Sequence, residues 1–62
     1  MTTKQIATKV LNIALQNDGY RIDTRWLAKH LGVSADQLSA ALDLLGNKII
    51  RVRGVASHIA AA

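Results

Sequence analysis

The chain has 62 residues, with eight Lys or Arg against four Asp, no Glu, and a formal net charge of +4. A chain of this length forms at most one domain and has no room for two lobes with a catalytic cleft between them. The absence of cysteine excludes disulfides and thiolate metal sites. The basic balance favours a nucleic acid as the partner.

The amino-terminal sequence MTTKQIATK lacks the unbroken apolar core of a signal peptide. No stretch of the chain approaches the roughly 20 apolar residues that a membrane span needs. We therefore expect a cytoplasmic protein with no membrane partner.

The first predicted element is a helix over residues 2–17, with Thr2 or Thr3 as its N-cap. A wide apolar stripe runs along this helix and consists of Ile6, Ala7, Val10, Leu11, Ile13, Ala14 and Leu15. Such a stripe must be covered by other elements, so the helix should be the spine of the core. Glycine adopts positive φ cheaply, so Gly19 is expected to end it.

The next residues predict a short strand and a short helix. Residues 20–23 alternate in polarity and are too few for a helix, so they favour an extended strand. Residues 24–31 predict a helix of about two turns, capped by Asp23 or Thr24, that needs tertiary packing to be stable. Gly32 is expected to end it in the left-handed conformation.

A third helix is predicted over residues 34–45. Ser34 suits the N-cap, and Gln37 lies three residues later, where its side chain can complete a capping box. Apolar residues recur at three- and four-residue steps through this segment, which is typical of a helix with one buried side.

The remaining chain changes to a period of two and predicts a β-hairpin over residues 48–59. Ile50 and Val52 fall on one face, and Arg51 and Arg53 fall on the other. Gly54 is expected to turn the chain, so that residues 55–59 return as the partner strand. Residues 60–62 are expected to fray.

The centre of the chain resembles the helix-turn-helix family of DNA-binding domains. The matching positions are Leu27-Ala28, Leu31-Gly32-Val33-Ser34, Leu38, Ala41 and Leu42. In that family a small residue lets the two helices cross closely and a glycine makes the turn. An unrelated helical hairpin is the other interpretation of these residues.

The order of the predicted elements is more specific, because helix, strand, helix, helix and hairpin follow one another as in winged-helix domains. The resemblance implies an α+β fold of three helices and a three-stranded sheet. It also implies that the third helix enters the major groove of DNA. The side chains that would face bases are Ala35, Asp36, Gln37, Ser39 and Ala40.

Two of these side chains have clear hydrogen-bonding partners among the bases. Gln37 can make a bidentate contact with adenine, and Ser39 suits several bases. Asp36 and Asp43 are either ordinary solvated side chains or discriminators against unsuitable sites. Asp36 also lies in the first helical turn, where the helix dipole favours a negative charge.

The third helix carries no Lys or Arg, unlike most readers of this family. Phosphate contacts would have to come from other elements, and the candidates are Arg25, Lys29, Lys48, Arg51 and Arg53, with Arg21 as a further one. The hairpin arginines could instead protect a strand edge against aggregation. With four or five phosphates neutralised, the logarithm of affinity should fall against the logarithm of salt with a slope near −4.

Trp26 and the two histidines are candidates for other roles. Trp26 either closes the core against the hairpin or forms an exposed anchor for a protein partner. His30 and His58 lack ligand spacing, so no metal site is expected. No grouping of nucleophile, base and orienting residue is evident, so we expect no enzyme, no cofactor and no small-molecule substrate.

The sequence thus predicts a winged-helix protein that binds double-stranded DNA, in the form of a small bacterial or bacteriophage transcriptional regulator. One such domain binds a half-site weakly, which implies a homodimer or a protein partner. The alternative is a winged-helix protein-interaction module whose uncharged third helix meets another protein.

Overall fold

The computed structural model describes residues 1–52 and 57–62. Within them lie three helices, α1 (Thr3–Gln16), α2 (Thr24–Leu31) and α3 (Ala35–Leu45), and three strands, β1 (Ile22–Asp23), β2 (Ile49–Val52) and β3 (His58–Ala61). A 3-10 turn, Gly46–Lys48, leads into β2. The fold is α+β, and its layout fits a small winged-helix-like arrangement, as predicted.

Helix α1 is the spine of the core. Thr2 caps it: the Thr2 Oγ1 accepts from the Gln5 N–H at 3.1 Å, and the Gln5 Oε1 accepts from the Thr2 N–H at 2.9 Å. The buried side is formed by small and branched residues, namely Ile6, Ala7, Val10 and Ala14. Leu15, which the periodicity placed in the stripe, is exposed. The prediction was wrong there because Leu15 lies one residue, about 100° of helical rotation, past the buried Ala14 and so falls outside the buried side of α1.

The turn between α2 and α3 forms as predicted. Gly32 adopts φ 68°, and the Val33 N–H donates to the Ala28 carbonyl at 3.0 Å. The Ser34 Oγ then accepts from the Gln37 N–H at 3.1 Å, and the Gln37 Oε1 accepts from the Ser34 N–H at 2.9 Å. These bonds satisfy backbone donors that a helix start otherwise leaves open. They fix where α2 ends and where α3 begins.

The sheet is antiparallel in the order β1-β3-β2, so the last strand in the sequence is the middle one. Ile59 pairs with Ile22 on one side and with Arg51 on the other. Cross-strand partners share a face, so these three residues lie on the face that meets the helices. Ile49 lies on that face too and is buried, as is Leu27 of α2.

Ile50 and Arg51 lie on opposite faces of β2, as predicted, and it is the Arg51 face that turns inward. The predicted place of Arg53 on that face lies outside the described residues. Ile50, on the opposite face, is 53% exposed. The pattern of the sequence could not assign the inner face, because Ile49 extends the apolar run by one residue and fits either register.

Two strand boundaries differ from the prediction. Only Ile22 and Asp23 pair in β1, so the strand is half the length expected over residues 20–23. Residues 60–62 do not fray, because β3 continues to Ala61 and the Ala62 N–H donates to the Lys48 carbonyl at 3.2 Å. The predicted turn at Gly54 and the start of the return strand at Val55 lie outside the described residues.

None of the helices in the described part of the chain is both long and apolar enough to cross a membrane.

The capping box can be tested by the change Ser34→Ala. Loss of the hydroxyl leaves a backbone donor of α3 unpaired, and the free energy of unfolding should fall by about 1 kcal/mol. Urea denaturation followed by circular dichroism measures the change. Ser39→Ala, the same substitution on the exposed side of the same helix, is the control and should not lower stability. An equal effect of the two changes would contradict the assigned cap.

Candidate nucleic-acid interface

The amino-terminal half of α3 presents one exposed side to the surroundings. The exposed residues are Ala35, Asp36, Gln37, Ser39 and Ala40, the same five that the sequence placed opposite DNA bases. Leu38, Ala41 and Leu42 are buried and hold the helix against the core. The polar side of α3 is therefore open to a partner.

Gln37 is only partly free to contact a base. Its Oε1 accepts from the Ser34 N–H at 2.9 Å, which leaves its amide NH2 group as the available donor. A bidentate contact with adenine uses both the oxygen and the NH2 group. That contact would break half of the capping box, so a single donated bond to a base acceptor is the contact that the capped helix allows.

A groove of about 310 Å³ separates α3 from the ribbon formed by β2 and β3, and we call it the α3–ribbon groove. Apolar residues of the core line its floor, including Leu38, Leu42 and Ile59. Its rim carries Arg25, Ala35, Ser39, Arg51, Ser57 and His58. The fold thus gathers residues that the sequence assigned to bases and to phosphates around one concave surface.

Two contacts hold the ribbon beside the helices. The backbone N–H and the Oγ1 of Thr24 both donate to the Ser57 carbonyl, at 3.1 Å and 3.2 Å. The second contact joins Arg51 on β2 to Asp43 on α3, with Nη1 and Oδ1 2.7 Å apart. One contact ties the ribbon to the start of α2 and the other ties it to α3, so both walls of the groove are fixed.

The Arg51–Asp43 ion pair changes the charge of this surface. The Arg51 side chain is 26% exposed, while Asp43 is 69% exposed. Arg51 is therefore oriented along the groove wall by an acid of α3, and it reaches a phosphate only by leaving or sharing that acid. This pair could not be predicted from the sequence, because it depends on the 3-10 turn and on which face of β2 turns inward.

Helix α2 supplies cations that face solvent. Arg25 and Lys29 are exposed and lie one helical turn apart on the same side of α2. The Arg25 side chain is 78% exposed, with its Nη2 3.5 Å from the Asp23 Oδ2. Such a loose, exposed pair leaves the guanidinium available to a phosphate. Arg21, just before β1, is also exposed.

The carboxylate of Asp23 caps α2 and is held in its charged form. Its Oδ1 accepts from the Arg25 N–H at 2.8 Å. This backbone hydrogen bond, and then the Arg25 guanidinium, hold the pKa of Asp23 below its ordinary value of 3.8.

The structure separates one of the predicted phosphate contacts from the others. Lys48 lies in the 3-10 turn and lines a second groove, between α1 and α3, rather than the α3–ribbon groove. It belongs to a different surface from Arg25 and Ser39. Arg53, the outermost predicted contact of the hairpin, lies outside the described residues.

Trp26 lies on the surface of α2 rather than in the core. It is 51% exposed and stacks on His30, with ring centroids 4.8 Å apart and planes 10° from parallel. The interpretation that Trp26 closes the core against the hairpin is therefore wrong, because Leu27 fills that position. Its role as an anchor for a protein partner stays a prediction.

Comparison of the chain with known protein families, with curated proteins and with solved structures finds no match. The chemistry of the surface is therefore the basis for assigning a function.

In residues 1–52 and 57–62, no three His, Cys, Asp or Glu side chains form a group that could hold a metal ion.

Asp23 makes stability depend on pH with a definite sign. Because its pKa is lowered by folding, its charged form stabilises the protein above about pH 4, and that contribution disappears as the pH falls through the folded pKa. The difference in unfolding free energy between the native chain and Asp23→Asn should therefore shrink as the pH falls below about 4. Urea denaturation at a series of pH values measures it. A constant difference across that range would contradict the assigned role.

Proposed function

We propose that this protein binds double-stranded DNA as a winged-helix domain, with α3 in the major groove and the ribbon beside it. The observation that carries the proposal is that Ala35 and Ser39, on the exposed side of α3, line the α3–ribbon groove together with Arg25 and the ribbon. Asp36, Gln37 and Ala40 are exposed on the same helix but do not line the groove. A small bacterial or bacteriophage transcriptional regulator that works in the cytoplasm is the role that fits such a domain.

In this proposal few side chains contact bases, and most of them are small or uncharged. Ser39 can donate to or accept from a base edge, and the Gln37 amide can donate to a base acceptor. Ala35 and Ala40 are small enough to let the helix approach closely, and their methyl groups suit the methyl of thymine. Asp36 can accept from the amino group of cytosine and repels phosphate, which gives discrimination rather than affinity.

Affinity in this proposal comes from cations outside α3. Arg25 and Lys29 are free to reach phosphates, and Arg51 can do so after releasing Asp43. Together with Arg53, these side chains would supply four phosphate contacts. Lys48 is not among them, because it lines the other groove. A single domain then binds a half-site weakly, and a homodimer or a protein partner supplies the remaining affinity.

Duplex DNA titrated at two salt concentrations tests the proposal. Three or four neutralised phosphates predict that the logarithm of affinity falls against the logarithm of salt with a slope between about −3 and −4. Fluorescence anisotropy of labelled duplexes measures both affinity and slope. Absence of binding at ~100 μM protein and low salt would overturn the proposal.

Matched charge variants locate the surface in the same titration. Arg25→Gln should weaken binding about threefold to tenfold at low salt and reduce the slope by about 1. Lys9→Gln removes an equal charge from an exposed position on α1 that lines neither groove, and it should change affinity less than about twofold. Equal losses in the two variants would mean that the protein binds DNA only through its net charge.

The Arg51–Asp43 pair gives a second test. Asp43→Asn removes an acid from the DNA face and releases Arg51, so affinity should rise about threefold to tenfold and the slope should steepen by about 1. The gain in slope should vanish when Arg51→Gln is added, because the released cation is then missing. The same salt titration measures all three variants. A gain in slope that survives Arg51→Gln would contradict the role given to Arg51.

A protein-interaction module is the second candidate function. The lack of any Lys or Arg on α3 favours it, since the exposed side of that helix then offers only small, polar and acidic groups. Amide chemical shifts recorded during the DNA titration separate the two functions. Changes centred on Ser39 and Arg25 support DNA binding, whereas changes confined to α1, or none, favour the interaction module.

A further inference from the structure

A second groove, of about 360 Å³, lies on another surface of the molecule, between α1 and the end of α3. Ala7 and Leu11 of α1 form one side of it, and Leu44 and Leu45 of α3 form the other. We call it the α1–α3 groove. No described residue lines both this groove and the α3–ribbon groove, so each can be occupied independently.

The α1–α3 groove exposes apolar surface that the fold does not use. Leu44 is 62% exposed, although its neighbour Leu45 is buried in the core. Leu11 is only partly buried against the core. Leu44 and Leu11 therefore form an exposed apolar surface in a groove between two helices. Amphipathic helices of partner proteins bind to surfaces of this kind.

The charges around the groove have one sign. Among the described residues that line it, the ionisable ones are Lys4 on α1 and Lys48 after α3. Helix α1 contains no acid at all, and the acid next to Leu44 in sequence, Asp43, is paired with Arg51. Thr8 and Asn12 are the uncharged polar residues of its lining, beside the apolar Ala7, Leu11, Leu44 and Leu45. The groove is thus a largely apolar surface flanked by two lysines, with no acid among the described residues that line it.

We propose that the α1–α3 groove docks an acidic amphipathic helix of a partner protein. Apolar side chains spaced i, i+3 or i+4, and i+7 on that helix would cover Leu11 and Leu44. Its flanking carboxylates would meet Lys4 and Lys48, which supplies orientation and selects against basic helices. A second copy of this chain is disfavoured by its net charge of +4 and by its lysines at the same groove. The inference does not depend on DNA binding.

The test uses the full chain, labelled with nitrogen-15, and two designed helical peptides. Both peptides carry leucines at the same helical positions; one has glutamates on the flanks and the other has lysines there. The glutamate peptide should shift the amides of Ala7, Leu11 and Leu44, with a dissociation constant of about 10 to 100 μM. The lysine peptide should bind at least about tenfold more weakly.

Charge reversal at the groove provides the matched variants. The double change Lys4→Glu and Lys48→Glu should weaken the glutamate peptide about tenfold and strengthen the lysine peptide. Lys9→Glu with Lys29→Glu alters the net charge equally at exposed positions away from the groove, and it should leave the preference for the glutamate peptide in place. All four substituted positions are exposed, so the variants should fold.

Three results would overturn the inference. The first is no amide shift in the groove with glutamate peptide at about 1 mM. The second is equal binding of the two peptides. The third is that the chain alone sediments as a dimer and that the Leu44 amide shift changes when the dimer dissociates on dilution. A second copy of the chain would then occupy the groove.

Discussion

The arrangement depends on the turn from Gly32 to Ser34. Helix α2 has eight residues, too few to be stable in water without tertiary packing. The left-handed glycine ends it and the capping box starts α3 at once, so the two helices meet at a fixed angle. Leu27 and Leu38 can then both be buried in the same core cluster. The exposed side of α3 is a direct product of that angle.

Local chemistry explains what the sequence could predict. The bounds of α2 and α3 follow from Asp23, Gly32 and Ser34, whose capping roles operate within three residues of each position. The exposed side of α3 follows from the phase of Leu38 and Leu42, which are buried as the helical period requires. Five candidate base-facing residues were placed on the surface by that phase alone.

The features that the sequence could not predict depend on packing between residues far apart in the chain. The length of β1 is set by its pairing with β3, in which Ile22 lies opposite Ile59 and Asp23 lies opposite His58. The inward turn of Arg51, and with it the bond to Asp43, depends on strand register rather than on local propensity. The exposure of Trp26 depends on Leu27 taking the buried position beside it. The separation of Lys48 from the other cations follows from the 3-10 turn, which directs that residue toward α1.

The place of β3 in the sheet has a consequence for how the chain folds. In the described part of the chain, β1 and β2 are not neighbours in the sheet, and each pairs with β3, which is the last of the three to be synthesised. Ile22 therefore has no strand partner until Ile59 is present, and pairing strands so far apart in the sequence is slow compared with forming a helix. During synthesis the three helices can associate early, while the ribbon that flanks α3 assembles only when residues 58–61 have left the ribosome.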